Sequence, residues 1–140
     1  MNMNSGSYML RVFQLGVFLW AAGTIAIRLA GDRLLHPNQP LRSALLYLGS
    51  FVLLAIVTRR ICRRLKLERN FWPQAASLLI LPTLILDPFS CAFFPTVFPN
   101  IDPSAAGIFG GWMLICCAGA VAGSWGWPGR LSSFKMKQEK

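Results

Sequence analysis

FWPQAASLLILPTLILDPFSCAFF, residues 71–94, decides the fold. An α-helix needs about 20 mainly apolar residues to cross a hydrocarbon core about 30 Å thick. This run meets that length with few polar side chains and one charge, Asp87. Asn70 precedes it as a cap residue, and Pro73 falls in its first turn, where a missing N–H costs little. Pro82 lies inside the run and predicts a kink.

Three further runs have the same character: residues 10–30, 41–58 and 103–127. The second is the shortest. Asp102 and Pro103 stand at the head of the last one as cap and first helical residue. The first run is too long for the apolar part of a signal peptide, and Arg28 sits where a cleavage site belongs, so it reads as a span. The expectation is all-α: one integral membrane four-helix bundle over residues 1–140, with a basic tail at 129–140.

Composition agrees. The chain of 140 residues is 54% hydrophobic and 14% charged, against a usual charged share of about 25%. The net charge of +9 does not point to nucleic acid, because no recognition motif accompanies it. The segment RRICRRLKLERN (59–70) carries six Lys or Arg, the tail four, and Arg11 flanks the first span at its N-terminal end. The two remaining loops hold only Arg33 and Arg42. The excess of Lys and Arg marks the cytoplasmic side. Both termini are therefore expected in the cytoplasm, or in the stroma of a photosynthetic membrane. The expected location is a bacterial cytoplasmic membrane, or a thylakoid. The basic segment could also hold anionic lipid at about 1 kcal/mol per Lys or Arg, although topology control explains the same residues.

Of the Asp, Glu, Lys, Arg and His types, Arg28 and Asp87 are the side chains that fall within the spans away from their first turns. Each would cost about 2.5–3.5 kcal/mol at a helix centre. With this topology both belong in the outer half, where they form a candidate ion pair. Arg28 with Asp32, four residues on, is the local alternative. An intramembrane carboxylate can also serve as a proton or ion site.

Gly107, Gly111, Gly119 and Gly123 recur at intervals of four or eight, with Ile115 in the gap. Such small residues let backbones approach closely where lipid offers no hydrophobic drive. Span one, a second copy of the chain and another protein are all open as the neighbour. Trp72, Trp112, Trp125 and Trp127 read as interfacial anchors. Between spans three and four, Pro95 and Pro99 end the helix, and Asn100 and Asp102 supply turn and cap groups. This segment, with Phe89, Phe93, Phe94 and Phe98, reads as an outer cap over spans one and three. Cap and ion pair are expected to form one structural unit.

Cys62, Cys91, Cys116 and Cys117 form no CxxC, and His36 is the single histidine. No metal site, cofactor or catalytic set is expected, and the chain is not read as an enzyme.

FFPTVFPN (93–100) followed by AAGIFGGWMLIC (105–116) resembles a bacterial family of small four-span membrane proteins, the domain of unknown function 5367. Asp87, the VFPN of Val97–Asn100 and the FGGWMLIC of Phe109–Cys116 carry the resemblance, and the RLAG of Arg28–Gly31 is similar to the family's first span. It covers residues 10–125 and leaves out the basic tail. It implies a four-helix membrane domain with no activity to carry over. The expected role is a non-catalytic accessory or packing subunit that meets a membrane-protein partner or its own copies in the bilayer. The alternative is a small homo-oligomeric transporter or channel that uses Asp87.

Overall fold

The computed structural model of the chain describes residues 5–35 and 39–125. Among these the helices are α1 (Ser5–Leu34), α2 (Pro40–Arg64), α3 (Trp72–Ala92), the one-turn α4 (Phe94–Val97) and α5 (Ala106–Ser124). Short 3₁₀ turns, Arg69–Phe71 and Pro103–Ala105, lead into α3 and α5. Four helical stretches are long and apolar enough to cross a membrane: Tyr8–Leu34, Pro40–Arg64, Arg69–Ala92 and Pro103–Ser124. Their outward faces carry Leu29, Leu41, Leu45 and Phe89 in the open, the surface that lipid requires and water penalises.

Helix α2 runs past its apolar stretch through Arg59, Arg60, Arg63 and Arg64. These cations complement the negative end of the helix dipole. The helix closes as a Schellman motif: Leu67 N–H donates to the Cys62 carbonyl at 3.1 Å and Lys66 N–H to that of Arg63 at 3.0 Å, with Lys66 at φ 51°. Cys62, expected in a loop, is therefore helical and buried.

Two of the expected caps divide. Asn70 lies within the 3₁₀ turn, and α3 starts after Phe71 with no side-chain cap. Asp102 does cap, its Oδ1 accepting from Ser104 N–H at 2.8 Å. That bond holds the Asp102 carboxyl below its ordinary range. Its contribution is present above that range and lost as pH falls through the lowered value. Asp102→Ala is expected to lower the unfolding temperature at neutral pH, with the gap to wild type closing in acid; thermal scans across pH check this.

Principal packing runs from α1 to α3, from α3 to α5 and from α5 to α2. Tyr8, Val12, Cys62, Trp72, Ala75 and Leu79 form one buried cluster. Trp72 is thus no interfacial anchor: it is buried, donates through Nε1 to the Leu67 carbonyl at 3.0 Å, and lies under the Arg69 guanidinium, 5.4 Å away. Trp112 is likewise tied inward, donating to Ser50 Oγ at 2.6 Å. Trp125 is exposed as an anchor should be, and Trp127 lies outside the described residues.

The glycine face of α5 meets α2. A methyl at Gly119 would overlap the Phe51 carbonyl, and one at Gly123 the Ala55 carbonyl. At Gly111 it would come within 2.7 Å of the Tyr47 hydroxyl, which donates to the Ile108 carbonyl at 2.8 Å. Tyr47, Phe51 and Ala55 themselves step by four, so two four-residue ridges lie side by side. Gly107 faces nothing within 4 Å and stands outside this seam. Gly123→Ala is expected to cost about 1–3 kcal/mol, because backbone cannot step aside as a side chain can. Gly107→Ala is the control and should be neutral or slightly stabilising; unfolding in detergent reads both.

The segment between α3 and α5 is built differently from the expected cap. Helix α3 already ends at Ala92, and Pro95 lies in the first turn of α4, while Pro99 follows that helix. Phe94, Phe98 and Phe109 pack as a trio with ring centroids 5.1–5.7 Å apart. Ile27, Leu35, Ile101 and Ala105 complete this buried cluster, which joins α1, α4 and α5. Phe89 and Phe93 point outward, and Asn100 is exposed.

Candidate functional site

Asp87 is the site's centre. It lies one residue before Pro88 in α3 and is 7% exposed. Its partner is not Arg28. Trp20 of α1 donates its indole N–H to Asp87 Oδ1 at 2.9 Å. Oδ2 is buried without a hydrogen-bond partner among the described residues. Arg28 is eight residues beyond Trp20, about 12 Å along the helix, and exposed, as is Asp32. The cap and the carboxyl are therefore separate units: the cap rests on Ile27 and Leu35, and Ile101 fills the space beside Gly31.

Asp87 itself lies in the C-terminal half of α3, the half in which the charge argument put it. Trp20 stands at mid-length of α1, and Met113, which shares a cleft with Asp87, at mid-length of the Pro103–Ser124 stretch. The α1–α3 register follows from Gly16, where a methyl would overlap the Leu79 carbonyl. The backbones touch there, and Trp20 and Asp87 meet farther along the same pair of helices.

Two clefts lie beside the Trp20–Asp87 pair, one lined by each partner. A cleft of 190 Å³ lies between α3 and α5, lined by Asp87 with Thr83, Pro88, Cys91, Met113 and Cys117 among others. A cleft of 250 Å³ lies between α1, α3 and α5; Gly16, Trp20, Gly23 and Ile27 form its α1 wall. Thr83, Met113 and Cys117 line both. The Trp20–Asp87 hydrogen bond thus bridges from one cleft to the other. Gly23, where an added methyl would meet nothing within 4 Å, leaves the larger cleft open on its α1 side.

The chemistry of such a site is narrow. A carboxylate oxygen without a hydrogen bond in apolar surroundings carries a large desolvation cost. A proton or a bound cation neutralises it. Among the described residues, the other carboxyls (Asp32, Glu68 and Asp102) are exposed.

Trp20 is the residue that the sequence reading missed. A search for charge partners does not find a neutral donor 67 residues away. The available signal was its place at mid-span on the α1 stripe Gly16, Trp20, Gly23 and Ile27.

Fold and site together describe a small helical membrane-type protein with one carboxyl buried between its helices. The model of the Family of unknown function (DUF5367) matches residues 34–125, and the chain belongs to that family. The match begins at the end of α1, so it takes in Asp87, the cap and the glycine seam but not Trp20. No curated protein and no solved structure matches the chain.

Proposed function

We propose that this protein is a small non-catalytic membrane carrier in which the Asp87 carboxyl exchanges a proton for a cation. The observation that carries the reading is the buried, hydrogen-bond-free Oδ2 beside an apolar cleft. The step balances simply: the carboxyl O–H breaks, the proton leaves to water, and the carboxylate keeps the cation as counter-ion. Trp20 holds Oδ1 throughout, so the exchange takes place at Oδ2.

The accessory-subunit reading drew on the glycine face, together with the small size and the lack of a catalytic set in the sequence. Gly111, Gly119 and Gly123 pack against α2, and that support passes to the folding of the chain itself. The carrier reading draws support from Trp20 and Met113, neighbours of Asp87 that stand at mid-length of their own helical stretches, since coupling sites of transporters lie near the bilayer midplane.

The test is the decay of an imposed pH gradient in liposomes holding the full chain, with sodium, potassium or organic ammonium salts outside. Decay that depends on the cation and on Asp87 supports the reading. Decay equal to that of empty liposomes contradicts it.

A further inference from the structure

Resting on that proposal, we infer that the cation is a protonated amine bearing one apolar ring or short chain, with its ammonium on Asp87 Oδ2 and its body in the 190 Å³ cleft.

Oδ2 needs a donor, and an ammonium supplies N–H groups directly. Leu84, which also lines this cleft, adds an acceptor. The carbonyl of residue 84 would bond the N–H of residue 88, and that residue is Pro88, which has none. Thr83 contributes a hydroxyl at the same wall. Hard inorganic cations instead call for about six oxygen ligands, and the remaining walls are Cys91, Gly110, Met113, Leu114 and Cys117. Sulfur-rich apolar walls suit a ring, since thioethers and aromatics attract each other.

Charge and size narrow the class further. The polar groups at Asp87 are Trp20 from α1, which bonds it, and Thr83 and Cys91 from α3 and Cys117 from α5, which line the same cleft. None is a cation or a second carboxylate, so one positive charge balances the site. A cavity of about 150 Å³ accepts benzene. The smaller cleft, at 190 Å³, therefore takes a single ring with a one-carbon arm to the nitrogen. Oδ2 is covered by the lining, so with Oδ1 held by Trp20 the amine reaches it when a lining side chain such as the flexible Met113 moves aside.

The experiment is equilibrium dialysis of radiolabelled benzylamine against the full chain in nanodiscs of neutral phospholipid. Benzyl alcohol, of the same shape but uncharged, is the competitor. We expect saturable binding of the amine, with the alcohol weaker by about tenfold or more. Asp87→Asn should bring the amine down to the alcohol's affinity. Equal affinity for amine and alcohol in wild type would overturn the inference and leave the cleft as a seat for neutral apolar groups such as acyl chains. A preference that survives Asp87→Asn, or no saturable binding, would overturn it too. The wild-type comparison stands even where the variant does not fold. Gradient decay that needs Asp87 without amine binding sinks this inference and spares the carrier reading. Amine binding without Asp87-dependent decay does the reverse.

Discussion

Phe98→Ala is expected to destabilise the fold by about 3–5 kcal/mol, in the upper range for removal of a buried aromatic. Phe98 has 0% of its surface exposed. Its ring lies 5.2 Å from Phe94 and 5.1 Å from Phe109, centroid to centroid. The trio has one ring at the start of α4, one just after it and one on α5, so its loss separates three chain segments at once. Neighbours cannot close the gap cheaply: Phe94 and Phe109 are themselves pinned by Ile27, Leu35 and Ala105. Phe93→Ala is the matched control. That side chain is 61% exposed, and its change should stay within about 0.5 kcal/mol. Unfolding in a mild detergent, followed by circular dichroism, gives both numbers. Equal effects of the two substitutions would mean that the trio is not the keystone of the cap.

The second large effect is functional. Asp87→Asn should reduce cation-dependent gradient decay to the level of empty liposomes. The substitution keeps the shape and leaves an amide oxygen to accept from Trp20. The amide nitrogen that replaces Oδ2 neither gives up a proton in the working range nor carries negative charge. Binding and proton exchange therefore vanish together, while the α1–α3 contact survives. The fold should hold, since the Gly16–Leu79 approach and the Tyr8–Gln74 hydrogen bond lie outside the substitution. Size-exclusion profiles and unfolding temperatures like those of wild type, with lost decay, are the expected pair of results.

The sequence carried the helices well because their physics is local. Apolar length, Asp102 before Pro103, and Pro73 at the head of a run each act within a few residues. Boundaries moved where helix propensity outlasts hydrophobicity, as in the arginine-rich last turns of α2. The glycine seam could be read as a close approach, but its partner could not, because α2 shows no pattern that names α5. Asp87 was legible as a buried carboxyl. Its partner was not: the ion-pair argument matched charge to charge, and the structure satisfies Oδ1 with a neutral indole. The cap was legible as a turn-rich segment, while the inward turn of Phe94 and Phe98 and the outward turn of Phe89 and Phe93 depend on α5 packing against them.

The central claim is an exchange at one oxygen, and proton counting tests it most directly. Benzylammonium is added to the purified full chain in weak buffer, and proton release is followed with a pH dye. The account predicts release of up to about one proton per chain from wild type on saturation, with none from Asp87→Asn. Amine binding without proton release, or the same release from both proteins, would contradict it.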